Sequence, residues 1–252
     1  MKRLLLFCFL LVCAFVDAQS ILTDPDLKIW LRADSAITDA NGLVSSWPDV
    51  SGNDHDFHQN NTNSQPTLIT SAAFDNMPVI KFDGSNDFMI NDLIDQINIE
   101  DLSIFIVSSG DNQSGNMAGL FCVNTIFNGL FLTRSINSFN GFRIWVNLKF
   151  TNTSNASVSS SGYLPNILSF KRLIGAQSII YLNGINESIN GNATFNANFT
   201  NGIARIGYAT SYQYFKGDIA EIIIFKRVLN ETEQEEVELY LMDKYAPPVN
   251  LG

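Results

Sequence analysis

The side chains in this sequence that could carry chemistry fall into a few short runs. His55 and His58, the only histidines, lie in Asp54-His-Asp-Phe-His58. They invite a metal reading, but a spacing of three does not present both from one face of a strand, which disfavours zinc. Asp83-Gly-Ser-Asn-Asp87 puts side-chain oxygens at 83, 85, 86 and 87 in one turn, and Asp49, Asn53, Asp54 and Asp56 form a second oxygen-rich loop. Hard oxygen donors suit calcium, which makes Asp83 and Asp87 the candidate metal ligands. The competing reading is that Asp, Asn and Ser are here to make turns. Tyr208-Ala-Thr-Ser-Tyr-Gln-Tyr214 places three tyrosines in one loop. Tyr208, Tyr212 and Tyr214 could stack on sugar rings, with Arg143 hydrogen-bonding to hydroxyls. Packing at a sheet edge is the alternative for the tyrosines.

Nucleophilic and phosphate chemistry find less support. Cys122 sits among Leu120, Phe121 and Val123 with no evident His or Asn partner, so a buried, inert thiol is expected. No phosphate-cradling Gly-rich loop or dinucleotide fingerprint occurs. Asp218 and Glu221 are three apart on an expected strand, which would point them to opposite faces. The acidic run from Glu231 to Glu238 reads as the solvated face of a helix.

The composition agrees with this shortage of catalytic equipment. The 252 residues are 46% hydrophobic and 12% aromatic, with 19 Phe, 28 Asn and only 15 Lys plus Arg. That much apolar surface excludes a disordered chain, and a net charge of −10 argues against DNA or RNA as partner. Residues 1–18 read as a secretory signal peptide: Lys2 and Arg3, an apolar run from Leu4 to Phe15, then Val16-Asp17-Ala18. The run is shorter than the roughly 20 residues a membrane anchor needs, and no later segment supplies a membrane span. Without residues 1–18 the chain carries 13 basic and 24 acidic residues, a net charge of −11. Cys122 is then the only cysteine, so no intrachain disulfide can form.

The elements that must position these groups are short strands. Leu27 to Leu31, Val44 to Trp47, Val79 to Phe82, Phe88 to Ile90, Ser103 to Ser108 and Ala118 to Val123 are rich in Ile, Val, Phe and Trp. Gly129 to Thr133, Phe142 to Leu148, Ile167 to Leu173, Ser178 to Leu182, Ala204 to Tyr208 and Ile219 to Phe225 follow. Asn-Gly and Asp-Gly turn signals separate many of them, as at 41–42, 83–84 and 183–184. Trp30 and Trp47 lie in apolar strands and are expected to anchor the core. One helix is expected: Asn230 caps it, Glu233 completes a capping box, and Pro247-Pro248 stops it. Its Val237, Tyr240, Leu241 and Tyr245 share a face that could dock on a sheet. The fold class is all-β, a two-sheet antiparallel jelly-roll sandwich with one short C-terminal helix. Residues 19–245 form the single domain; 152–161 reads as an exposed loop and 246–252 as a linker-like tail that could precede a further module.

An ordered set of motifs carries a family resemblance. They are Leu27-Lys-Ile-Trp-Leu-Arg-Ala-Asp34, Val44-Ser-Ser-Trp-Pro-Asp-Val-Ser-Gly-Asn-Asp54 and Pro78-Val-Ile-Lys-Phe-Asp-Gly84. Ile180-Tyr-Leu-Asn-Gly184, Phe215-Lys-Gly-Asp-Ile-Ala-Glu-Ile-Ile-Ile-Phe225, Leu229-Asn-Glu-Thr-Glu233 and Val237-Glu-Leu-Tyr-Leu241 complete it. Over about residues 25–245 this resembles the laminin-G-like branch of the concanavalin A-like lectin/glucanase superfamily, in the form found in secreted bacterial proteins. The resemblance implies lectins, adhesion modules, pentraxin-like domains or glycoside hydrolases, and calcium at a sandwich rim in several relatives. The glucanases of this superfamily carry Glu-x-Asp-x-Glu on one strand, and no expected strand here has that triplet. The expectation is therefore a secreted or cell-surface, non-enzymatic module that binds glycan or an extracellular protein in adhesion. It requires no cofactor, with calcium as the candidate ion. The alternative is a polysaccharide-active glycoside hydrolase or its accessory domain.

Overall fold

The computed structural model describes residues 21–94, 101–110, 118–123, 129–135, 141–146, 149–152, 164–173, 178–188, 202–209 and 214–246. The expected signal peptide, Tyr212, residues 153–161 of the expected loop and all but Ala246 of the expected tail lie outside the described residues. The described strands form two antiparallel sheets. The eight-stranded sheet runs β15 (Ile185–Asn186), β14 (Ile179–Leu182), β13 (Asn166–Arg172), β8 (Leu102–Gly110), β17 (Lys216–Phe225), β6 (Met77–Asp83) and β5 (Thr67–Ser71). Its eighth strand, β1 (Leu27–Arg32), also pairs with β17. The nine-stranded sheet begins with β12 (Lys149–Asn152), β11 (Gly141–Val146), β10 (Leu130–Ser135), β9 (Ala118–Val123) and β16 (Gly202–Ile206). It continues through β7 (Met89–Ile94), β4 (Phe57–His58), β3 (Val44–Trp47) and β2 (Ile37–Thr38). All twelve expected strands are present, within a few residues at their ends. The expected all-β sandwich is the observed architecture.

Strand alternation explains where the core sits. β1 buries Leu27, Ile29 and Leu31 and leaves Lys28, Trp30 and Arg32 half-exposed on the other face. Ile29, Ile106, Phe170 and Ile222 of one sheet meet Trp47, Phe57, Phe121 and Phe142 of the other in the inter-sheet core. Trp47 is fully buried and donates its indole N–H to the Arg32 carbonyl, 2.8 Å. It is the expected core anchor, and truncating it to Ala would cost about 3–5 kcal/mol. Trp30 is not. The same alternation turns it to the outer face of the eight-stranded sheet, where it packs in a second cluster. β8 and β17 are apolar on both faces because that outer face is also covered.

The cover is helix α1 (Glu231–Tyr245). Asn230 accepts from the Glu233 amide while the Glu233 side chain accepts from the Asn230 amide, the expected capping box. Arg227 holds Glu233 bidentately at 2.7 and 2.9 Å and reaches Asp24 at 2.6 Å, which ties the start of the domain to the start of the helix. Val237, Leu241 and Tyr245 are buried against Phe105, Ile223 and Phe225. One part of the acidic run departs from expectation. Glu238 is buried, accepting from Ser169 Oγ and Gln234 Nε2, because it lies one position from Val237 on the sheet-facing side. Between β14 and β15, Asn183 and Gly184 both take positive φ, 49° and 80°, the two-residue hairpin turn their sequence signals.

Candidate functional site

Two connections between the sheets emerge side by side at one end of the sandwich. β17 starts where β6 ends, with Lys216 opposite Asp83, and β16 ends where β7 starts, with Ile206 opposite Met89. The β6–β7 turn therefore lies against the β16–β17 loop, and two sequence candidates become one site. Gly207, at φ +85°, makes the approach feasible: a Cβ there would sit 2.4 Å from the Phe82 ring and 3.2 Å from the Asp87 carbonyl.

Tyr208 and Tyr214 face each other across this loop as an isolated antiparallel bridge. Their rings stack at 4.5 Å and 22°, with Phe88 at 5.9 Å from Tyr208 and 6.3 Å from Tyr214. All three are half-buried. Neither tyrosine hydroxyl has a hydrogen-bond partner among the described residues. Burial pushes the Tyr214 phenol above its ordinary value, helped by Tyr208 and the charge of Asp83. Phe88 was not a sequence candidate, since it opens an apolar strand pattern; its position next to the Asp87 turn was the available signal.

The turn beside them is built from its own carboxylates. Asp83 Oδ1 accepts from the amides of Ser85 (2.7 Å), Asn86 (3.1 Å) and Asp87 (3.3 Å), and Asp87 Oδ2 accepts from the Asp83 amide (2.9 Å). Asn86 Nδ2 donates to the Asn63 carbonyl and the Phe88 amide to the Ser64 carbonyl. Burial opposes ionisation of Asp83, but the three amides hold it below the usual carboxylate range. Burial pushes Asp87 up to about 6; the Asp83 amide works against that and the Asp83 charge with it. One oxygen of Asp83 is thus committed to folding the turn. Among the described residues no group of three His, Cys, Asp or Glu gathers to hold a metal ion.

Arg143 sits on the outer face of the nine-stranded sheet, half-buried, and burial lowers its pKa. It pairs with Thr133, which pairs with Gly119. Gly119 backs the Tyr208–Ala209 peptide so closely that a Cβ would lie 2.5 Å from the Ala209 nitrogen. Arg143 is therefore two strand spacings, about 10 Å, from the tyrosine loop. Arg205, half-buried beside Cys122 on the same face, is a further polar candidate that the sequence reading missed. Cys122 is fully buried with Phe131 and Ala209, and burial pushes its thiol up, as an inert cysteine should be.

The remaining titratable candidates do other work. His55 is buried, its amide donating to Asp49 Oδ2, and burial lowers its pKa. His58 lies 3.6 Å from Asp92. Asp218 and Glu221 do not point to opposite faces. A β-bulge between Ile219 and Glu221 adds one residue, so Asp218 pairs with Ser109 and Glu221 with Val107, two residues apart on one face. They form no catalytic pair, because Glu221 is fully buried and fully engaged. Its Oε1 accepts from Trp30 Nε1 (2.6 Å) and Tyr240 (2.9 Å), its Oε2 from Lys244 (2.7 Å) and Tyr245 (2.6 Å). A carboxylate with four donors has no free lone pair for proton transfer or attack.

No known protein-family profile matches the chain, and no curated protein matches it by sequence. Solved structures do match its fold. A sialidase from Trypanosoma rangeli superposes with a TM-score of 0.58 at 14% identity, over 90% of this chain and 34% of the sialidase. Domain 4 of AbnA, an extracellular arabinanase from Geobacillus stearothermophilus solved with arabinotriose, superposes with a TM-score of 0.59 at 13% identity, over 84% of this chain and 97% of that domain. The binding domain of botulinum neurotoxin DC, solved with SialylT, gives 0.57 at 15% identity, over 87% of this chain and 52% of that one. The chain spans about a third of the sialidase's length. At these identities the likeness is one of β-sandwich fold.

Proposed function

We propose that this chain is a secreted, non-enzymatic recognition domain of the laminin-G-like, concanavalin A-like type, which binds glycan on a cell surface or matrix through its aromatic rim. The observation that carries the reading is the Tyr208–Tyr214 stack flanked by Phe88, half-exposed and with its hydroxyls unengaged, beside the Asp83–Asp87 turn. An aromatic face covers the apolar side of a pyranose, while exposed Asp, Asn and Arg groups hydrogen-bond its hydroxyls. The arabinanase domain was solved with arabinotriose and the toxin domain with SialylT, which supports that class of ligand. Secretion rests on the signal-peptide pattern of residues 1–18; among the described residues no helix is long and apolar enough to cross a membrane. Near-complete overlap with one arabinanase domain favours a second reading, the accessory domain of a polysaccharide-active enzyme, which would use the same rim.

Calcium at Asp83 and Asp87 would add an ion bridge to sugar hydroxyls. A glycan array probed with the mature chain, once with calcium and once with chelator, tests both points. Binding in both conditions is the expected result; loss with chelator that Asp83→Asn reproduces would assign calcium to the Asp83–Asp87 turn. No signal in either would sink the glycan reading and leave adhesion to a protein.

A further inference from the structure

Helix α1 carries a second stripe that the sheet does not cover. Glu231, Gln234, Glu235, Glu238, Leu239 and Met242 face the β14–β15 hairpin across a depression of about 320 Å³, which Tyr181 and Gly184 close on the other side. Leu239 is 48% exposed, and Ile185 of the hairpin 41%. The walls thus combine apolar stems and one aromatic ring with three carboxylates. At the base lies Glu238, only 5% exposed. Its Oε1 accepts from Ser169 Oγ at 2.5 Å and Gln234 Nε2 at 2.8 Å. Its Oε2, which lies 3.5 Å from where a Gly184 Cβ would sit, accepts no hydrogen bond from any described residue.

The negative charge at this spot is only partly offset, by Lys171. Lys171, the nearby base, forms no ion pair with a described residue; its ammonium lies over the Tyr181 ring, 5.7 Å from the centroid. Burial pushes the Glu238 carboxyl up, with Lys171 only a lesser influence, and burial followed by the charges of Glu238 and Glu231 raises the Tyr181 phenol. A largely buried carboxylate with one oxygen open to the depression gains from a cation that reaches it.

We propose that this depression is a second binding site, separate from the aromatic rim, that receives a lysine or arginine side chain projecting from a partner protein. The alkyl stem lies along Leu239, Met242 and Tyr181, the cationic head meets Glu238 Oε2, and Glu231 and Glu235 flank the mouth. The volume stands at the small end of ligand pockets, which fits one side chain rather than an oligosaccharide. The chain's net charge of −11 after signal removal steers basic partners toward it.

The site is tested by NMR titration of the mature chain with three probes: a blocked Gly-Ala-Lys-Ala-Gly peptide, its Nζ-acetylated form, and pentylammonium. The lysine peptide should shift amides of residues 181–185 and 231–242, and acetylation should weaken it about tenfold or more, the loss of a charge-assisted hydrogen bond. Glu238→Gln should weaken the lysine peptide similarly while its amide oxygen keeps the Ser169 and Gln234 contacts. Should that variant fail to fold, the exposed double variant Glu231→Gln/Glu235→Gln carries the test, with a smaller loss expected. Equal binding of the acetylated peptide, or of the variants, would overturn the site. Pentylammonium binding as well as the peptide would overturn the protein partner in favour of a free amine. Tyr214→Ala should leave this titration unchanged, so failure here and failure of glycan binding are separable.

Discussion

The molecule holds two tyrosine pairs that the same strand-and-turn grammar puts to opposite uses. Tyr240 and Tyr245 lie under helix α1 with both hydroxyls donated to Glu221, alongside Trp30 and Lys244. Tyr208 and Tyr214 lie at the sandwich rim with rings stacked and hydroxyls engaged by no described residue. In the first pair each polar atom is spent inside the fold, and burial, then the Glu221 charge, raises both phenols well above their ordinary value. In the second, the hydroxyls are engaged by no described residue and the rings are only half-buried. The contrast separates tyrosines spent on the architecture from tyrosines the architecture does not use.

The largest break in that comparison is Glu221→Ala. Removing the carboxylate leaves the half-buried Lys244 ammonium and three hydrogen-bond donors without their acceptor, at about 3 kcal/mol. The melting temperature should fall by many degrees, and helix amides should lose hydrogen-exchange protection before the inter-sheet core does. A finer break applies one edit in both places. Tyr245→Phe deletes a 2.6 Å bond to a charged acceptor and should cost about 1.5–3 kcal/mol in chemical denaturation. Tyr214→Phe deletes nothing the fold uses and should stay within about 0.5 kcal/mol. Equal costs would erase the distinction.

The smallest effect concerns pH at the rim. The Asp87 carboxyl titrates near 6 when folded, against an ordinary 3.8, so the folded state holds the proton longer. This group's contribution is therefore fully present below about pH 4 and is lost as pH rises through about 6. Asp87→Asn should flatten the decline of melting temperature between pH 4 and 7; an unchanged slope would assign it elsewhere.

Much of this was legible in the sequence, because period-two burial and Asn-Gly turns are local signals. The β14–β15 hairpin and the capping box at Asn230 follow from residues a few positions apart. What was not legible depends on a bulge or on long-range register. Glu221 faces the helix only because one extra residue in β17 resets the alternation that would have put Asp218 and Glu221 on opposite faces. Trp30 reads as core by its apolar neighbours and turns outward by parity within its strand. Of the site, Tyr208, Tyr214, Asp83 and Asp87 were each visible as types, but their meeting depends on two crossovers landing side by side, which no local pattern encodes. β2, β4 and β15 are two residues each, too short to show a period.

We propose that the rim tyrosines serve a ligand rather than the fold. The most direct test is calorimetric titration of the tightest array glycan into wild-type chain and into Tyr208→Ala/Tyr214→Ala, with the melting temperature of each. The melting temperature should stay within a few degrees of wild type and the affinity fall about tenfold for each ring removed. Unchanged affinity in a folded double variant, or affinity lost only in step with unfolding, would contradict it.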